Sequence, residues 1–367
     1  MTIGIGGAGC KIAVKMDPDA MLVNVSETEM GKVNGGGRRL LASLHDGHGQ
    51  YKGSRKNPAI GHDAYQSIRR EMQSRIKGEM VFSSSGGGTG TGIVTGLLED
   101  LTAVDSVPMD EKTVFVFVLP YAELEANEFV NNTSEFLSGP VAAAIDKGNT
   151  GNIILFSNTV KFKKKIAEDK FNDMIASSLK TFLDIPEKNE RLKLLEEHID
   201  REDFAQYLSR PFFNHFTYFN YDPSDSFEKQ LYKHANPLLL KPEQPIEALF
   251  LLEVPEGGDP TIFYDINEYF NGIMVRPIYS VVENPEITKP FITVSLLYSR
   301  KPAELVDDFN KIAEEHIQAK IEKTVNQYVT LPKVAVNLEA KEKASENVKT
   351  HGDNEEVLAI LTRIGKL

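Results

Sequence analysis

The chain has 367 residues, 41% of them hydrophobic and 26% charged, with a formal net charge of −12 and a single cysteine. That is the composition of an ordinary globular protein long enough for about two domains of roughly 150 residues each. It excludes a disulfide framework, a membrane span of about 18 apolar residues, and a general nucleic-acid binder, which needs Lys and Arg to neutralise phosphates.

The first strand-like stretch, Met1–Ile5, leaves no room for a signal peptide, which sets the expectation of a cytoplasmic protein. It runs into Gly4-Ile5-Gly6-Gly7-Ala8-Gly9, which fits the dinucleotide pattern G-x-G-x-x-G, a motif of modest specificity. Cys10-Lys11 follows in place of the Lys-Ser/Thr ending of the common P-loop. A second strand-like run, Met21–Val25, carries Asn24 and leads to Ser26, both placed to reach a ribose or phosphate. The Gly53–Lys56 stretch then leads to Asn57-Pro58, another candidate phosphate-edge loop.

Met80–Phe82 reads as the next strand and opens onto Ser83-Ser84-Ser85-Gly86-Gly87-Gly88-Thr89-Gly90-Thr91-Gly92. Ten positions of glycine and hydroxyl residues without a charge make a poor core and a poor linker. Before the apolar helical run Ile93–Leu98 they place several backbone N–H groups, and the positive end of a helix dipole, around one point. The pattern predicts a phosphate-binding loop. Val114–Leu119, apolar throughout, predicts a parallel strand buried on both faces. Pro120 ends it, with Glu123, Glu125 and Asn127 shortly after, and Asn158 follows a fifth strand at Asn152–Phe156. Strands alternating with helices predict a doubly wound α/β sheet with its ligand at the C-terminal strand ends.

From Val160 to Leu208 the pattern turns helical, and Phe171, Ile175, Leu179 and Phe182 share one face of a spine helix. Lys161, Lys163, Lys164 and Lys165 within it, like Arg38-Arg39 and Arg69-Arg70, read as solvated basic faces. Strands are predicted at Ala248–Val254, Ile273–Val282 and Phe291–Tyr298, a long amphipathic helix at Pro302–Gln327, an extended tail over Val329–Asp353 and a short helix after it. The organisation expected is thus a nucleotide-binding domain (1–160), a central helix and loop (161–210), a smaller C-terminal α/β domain (211–300), a long helix (301–328) and a tail with a terminal docking helix (329–367). His45 and His48 lie close together, but no second pair has metal-ligand spacing.

Gly86-Gly87-Gly88-Thr89-Gly90-Thr91-Gly92 resembles the signature loop of the tubulin/FtsZ superfamily of polymerising GTPases, Gly6–Gly9 its first nucleotide loop, and Asn57-Pro58 its third. Ser54–Tyr65, Leu119–Phe136 and Glu197–Ala205 are most similar to the plasmid- and phage-borne TubZ branch, with good motifs over about residues 1–210. The resemblance implies that Gly6, Gly7, Ala8, Gly9 and Cys10 line the α- and β-phosphates of GTP or GDP. Gly86, Gly87, Gly88, Thr89, Gly90 and Thr91 would wrap the β- and γ-phosphates, with Asn24, Ser26 and Asn57 near the phosphates, Mg²⁺ or sugar. Asn158 and Asn172 would read the guanine edge, and Pro120, Glu123 and Asn127 would stand where relatives carry an acid and an arginine. No arginine follows Pro120 until Arg191.

His198-Ile199-Asp200-Arg201-Glu202-Asp203-Phe204 resembles the family's synergy loop, which completes the nucleotide pocket of the next subunit. Asp200 and Asp203 match its paired acids, on one side of a helix start, and would polarise a water near the γ-phosphate; His198 stands where many relatives have Asn. The resemblance implies a head-to-tail homopolymer that segregates plasmid or phage DNA through a DNA-binding adaptor. Two other readings compete with it. One is a Rossmann dinucleotide enzyme with Glu27 as ribose ligand, which leaves the Ser83–Gly92 loop unexplained; the other is a non-hydrolysing nucleotide-binding scaffold.

Overall fold

The computed structural model describes residues 2–43, 53–241 and 244–299, together with Glu315, Gln318 and Glu322. Those last three are helical and exposed. The remainder of the expected Pro302–Gln327 helix, the tail and terminal helix, and His45 and His48 lie outside the described residues.

In chain order the elements are β1 (Thr2–Ile5), α1 (Gly6–Met16), β2 (Met21–Asn24), α2 (Glu27–Gly31), β3 (Arg39–Leu41), α3 (Pro58–Arg75), β4 (Met80–Ser84), α4 (Gly88–Ala103), β5 (Val114–Leu119), α5 (Asn127–Phe136), α6 (Ala142–Lys147) and β6 (Ile153–Ser157). The chain continues through α7 (Thr159–Lys163), α8 (Glu168–Leu183), α9 (Ile185–Arg191), β7 (Lys193–Glu196), α10 (Arg201–Leu208), β8 (Phe213–Asn220), α11 (Phe227–Lys233), β9 (Glu247–Val254), α12 (Phe263–Gly272), β10 (Ile278–Glu283) and β11 (Phe291–Tyr298).

The strands form one sheet in the order β3-β2-β1-β4-β5-β6-β8-β11-β9-β10-β7. β1 to β6 run parallel, and β8 joins them in parallel through the pairs Ile153↔Phe213 and Ile154↔Asn214. β11 is antiparallel to both β8 and β9, so β9 points the same way as β6, and β10 is parallel to β9. Every C-terminal strand end of β1, β4, β5 and β6 therefore opens on one edge, and the N-terminal ends of β5, β6, β8 and β10 face the opposite one.

Alternation along each strand sets the two faces. Phe115, Phe117 and Leu119 pack with Tyr65, Ile68 and Met72 of α3 and Ile93, Val94 and Leu97 of α4. Val114, Val116 and Val118 pack with Cys10, Ile12 and Ala13 of α1 and Phe171, Ile175, Leu179 and Phe182 of α8. That second core also takes in Phe216, Leu249, Leu251 and Leu297, so the spine helix serves the strands of both halves. A third core joins α11 and α12 to the other face of β9 to β11 through Phe227, Phe250, Phe263 and Phe270.

Four strands depart from the sequence reading, the first being β3, a short edge strand parallel to β2 that includes Arg39 of the pair read as a solvated basic face. β7 interrupts the stretch read as helical, held as an antiparallel edge strand on β10. β8 carries buried Asn214, His215 and Thr217 among its aromatics, which hides the apolar pattern of a strand. β10 begins at Ile278 rather than Ile273, because Ile273 ends α12 and Met274 adopts a left-handed φ of 61°.

Candidate functional site

β1 and β4 each end on a glycine turn that starts a helix, and neither helix has a side-chain cap: Ile5 precedes α1 and Gly87 precedes α4. The first N–H groups of both helices are thus left for an outside acceptor, where the dipole favours an anion. The two starts touch. A methyl on Gly6, which itself has φ +72°, would stand 2.9 Å from the Gly90 amide nitrogen, and one on Gly9 would run into the Phe82 carbonyl. Ser83 and Ser84 extend β4 beyond the predicted strand, so the loop is shorter than its sequence signature.

Other loops brace this pair. Thr89 Oγ1 donates to Ser54 Oγ at 3.0 Å, and Asn132 Nδ2 donates to both Lys56 O and Gly86 O at 2.9 Å. Arg55 and Lys56 hold left-handed backbones there, with φ of 50° and 62°. Asn57 is the N-cap of α3, its Oδ1 accepting from Ala59 N at 3.0 Å. Its side chain is committed to the helix, while its backbone packs against Gly88.

Beside the glycine turns lies a cavity of about 210 Å³ lined by Ala8, Ser84, Gly86, Gly87, Pro120, Glu125, Phe129, Asn158, Lys161, Glu168, Phe171 and Asn172, among others. Ala8, Gly86, Gly87, Pro120, Asn158 and Asn172, named from sequence on different elements, meet there. Asn158 Nδ2 donates to Glu125 Oε2 at 2.9 Å, and the same oxygen accepts from Tyr121 N at 2.6 Å. Asn172 is 6% exposed on α8, and its side-chain amide has no hydrogen-bond partner among the described residues. A fixed amide and an open one therefore face the same cavity, and each offers a donor beside an acceptor.

The remaining predicted residues sit around the rim or turn away. Asn24 is buried, its Oδ1 accepting from Ser26 N at 3.1 Å, and Ser26 caps α2 by accepting from Glu29 N. Glu29 Oε2 lies 3.6 Å from where a Gly7 Cβ would be, which puts a carboxylate next to the first glycine turn. Cys10 points into the core and donates to Gly4 O at 3.3 Å; burial pushes its thiol pKa up to about 12, so only its backbone faces the turn. Glu123 is exposed and accepts from the Tyr121 hydroxyl, and Asn127 opens α5; neither lines the cavity.

The sequence reading took Lys161 as part of a solvated basic face and passed over Glu168, yet both line the cavity. Lys161 stands one turn after Asn158, and that spacing is the signal that separates it from the exposed Lys163, Lys164 and Lys165. Glu168 is paired with Lys11 at 2.8 Å, and that ammonium holds its carboxyl below the usual range.

Asp200 and Asp203 lie elsewhere. Asp200 is the N-cap of α10, its Oδ1 accepting from Asp203 N at 2.7 Å. Both line a groove of about 450 Å³ with Asp110 and Glu202. The other end of α10 meets the N-terminal strand ends, where Asn152 N donates to Leu208 O and Gly151 N to Thr113 O. The acids are thus at the opposite edge of the sheet from the glycine turns, about a strand length of 20 Å away for a six-residue β5.

No protein-family model and no curated protein matches the chain in sequence. Solved structures do match its fold. CetZ from Methanosaeta thermophila is 16% identical with a TM-score of 0.64, covering 95% of this chain and 99% of its own. A GTPγS-form protofilament of Bacillus thuringiensis serovar israelensis TubZ is 14% identical with a TM-score of 0.67, covering 88% and 93%. An FtsZ dimer of M. jannaschii is 17% identical with a TM-score of 0.57, covering 81% and 87%.

Proposed function

The chain has the tubulin/FtsZ superfamily fold, and we propose that it is a GTPase that assembles head to tail into filaments. The observation that carries this reading is the separation just described. The anion cradle and the amide-lined cavity are at one edge of the sheet, and the paired acids are at the other. Asp200 and Asp203 cannot reach their own cradle, but a second copy stacked in the same orientation brings its acids to it. Such a contact is heterologous and does not close, so it propagates as a filament.

In this account the uncapped starts of α1 and α4 bind the phosphates, while Asn158 and Asn172 orient the guanine. Mg²⁺ is a hard cation that takes oxygen ligands; among the described residues the Glu29 carboxylate stands beside the first glycine turn, with the Asn24 amide 3.5 Å from it, and these two would hold the ion. When bound it offsets phosphate charge. Asp200 and Asp203 of the neighbouring copy hold and polarise the attacking water, and the proton passes to a carboxylate oxygen. TubZ-like filament formation in the cytoplasm, in the service of plasmid or phage DNA through an adaptor protein, is the biological role this favours. No helix among the described residues is long and apolar enough to cross a membrane. Sedimentation with GTP, GDP and a slowly hydrolysed analogue, alongside phosphate release, tests the reading: assembly with GTP and the analogue but not GDP supports it, and nicotinamide binding without GTP binding refutes it.

A further inference from the structure

Two consecutive residues of α9 grip the chain on either side of Asp200. Asn189 is 4% exposed, and its Oδ1 accepts from the backbone N of Ile199 at 3.2 Å and from Ser280 Oγ at 2.5 Å. Its Nδ2 donates to Ile185 O at 3.0 Å, so three of its four hydrogen-bonding positions are used. Glu190, the next residue, takes Arg201 in a two-pronged ion pair, Oε1 to Nε at 2.7 Å and Oε2 to Nη2 at 2.9 Å. Ile199 precedes Asp200 and Arg201 follows it. Ile199 is fully buried, whereas its neighbour Glu197 holds a left-handed φ of 44°. Without an outside restraint, a loop with that backbone has little reason to present its carboxylate in one place.

We propose that Asn189 and Glu190 form a clamp that positions Asp200 for the reaction in the neighbouring subunit's site. Asn189 is the deeper jaw: it fixes the backbone entering the acid loop against Ser280 of β10, so the loop moves with the C-terminal sheet. Glu190 is the outer jaw and holds the Arg201 side chain, the residue after Asp200, in an exposed ion pair. Neither residue meets nucleotide. Both are positioning residues, and the inference rests on the reading of Asp200 as a group that acts in trans.

The test compares the full chain with Asn189→Ala, Asn189→Asp and Glu190→Gln for GTP affinity, sedimentation with the slowly hydrolysed analogue, and phosphate release at saturating GTP. Misplacing a reacting group by about 1 Å costs on the order of a hundredfold. Asn189→Ala is therefore expected to lower turnover by about ten- to a hundredfold, with affinity and sedimentation held. Asn189→Asp keeps the oxygen that accepts from Ile199 N and Ser280 Oγ but puts a carboxylate oxygen where the donor to Ile185 O stood, so it is expected to restore only part of that loss. Glu190→Gln, on the exposed side where folding is not at stake, is expected to lower turnover several-fold. Turnover that stays normal in Asn189→Ala and Glu190→Gln overturns the clamp. So does turnover that falls only in step with sedimentation. Wild-type chain that binds no GTP overturns the functional reading itself, a result these variants do not produce.

Discussion

Gly6 and Gly90 belong to different helices, yet the space between them admits no side chain: a methyl on Gly6 meets the Gly90 nitrogen at 2.9 Å. The close approach brings two uncapped helix starts to one point, and it needs glycine twice over, because Gly6 also has φ +72°. Gly6→Ala is expected to cost about 1–2 kcal/mol for the left-handed backbone alone, and to separate the two turns. Calorimetry and fluorescent-nucleotide binding check this: GTP affinity should fall by more than the stability loss accounts for. Unaltered affinity would mean that the two turns do not share a ligand.

On the proposed function, Asp200 has two jobs that chemistry can separate. Its Oδ1 caps α10 through Asp203 N, a contact that asparagine reproduces without the charge. Asp200→Asn should therefore keep stability and assembly while phosphate release falls by about a hundredfold or more. Asp200→Ala should lose about 1 kcal/mol of stability besides. Equal turnover in Asp200→Asn and wild type would reduce this residue to a helix cap.

The amides of the cavity predict unequal effects. Asn172 has no side-chain hydrogen-bond partner among the described residues to lose, so Asn172→Ala should leave the melting temperature nearly unchanged and weaken GTP binding by about tenfold, the worth of one to two hydrogen bonds. Glu125→Ala frees Asn158 to rotate, and should narrow the preference for GTP over ATP more than it lowers GTP affinity. Competition binding with both nucleotides distinguishes the two.

A buried histidine links stability to acid. His215 donates from Nδ1 to Leu240 O at 2.8 Å and accepts at Nε2 from Asn236 N at 3.2 Å, so the neutral ring fits and the charged one does not. Burial lowers its pKa from 6.5 to about 4. Between those values the unfolded chain binds a proton that the folded chain refuses, so stability falls as pH drops from about 6.5 to 4 and then levels off for this group. The loss is up to about 3 kcal/mol. Urea titrations at pH 7 and pH 4.5 should show a smaller drop in His215→Met than in wild type; an identical drop would assign it to carboxylates alone.

What the sequence disclosed follows from how locally each feature is encoded. Val114–Leu119 is apolar throughout because both of its faces are covered, and the Ser83–Gly92 loop is legible because close backbone approach permits little except glycine. β8 was hidden because its Asn214, His215 and Thr217 are satisfied inside the fold by Asn152, Ser295 and the backbone carbonyls of Leu240 and His234, a pattern without periodicity. β7 was hidden because a four-residue edge strand has one partner and only one half-buried residue to mark it. In the site, Asn158 was legible from its place after the fifth strand, while Asn172 and the role given to both came from the family resemblance alone. Glu125 as the partner of Asn158 arises from tertiary geometry that no local pattern carries, whereas Lys161 on the cavity wall is marked only by its place one turn after Asn158.

The central claim is that one chain holds half of its reaction site at each edge of its sheet. Phosphate release per subunit, measured across a dilution series spanning the onset of sedimentation, tests it most directly. The account predicts a specific rate near zero below a critical concentration and a rise that coincides with sedimentation, lost in Asp200→Asn even where filaments form. A specific rate that is constant down to concentrations with no assembly would show the site to be complete in a single chain, and would contradict the account.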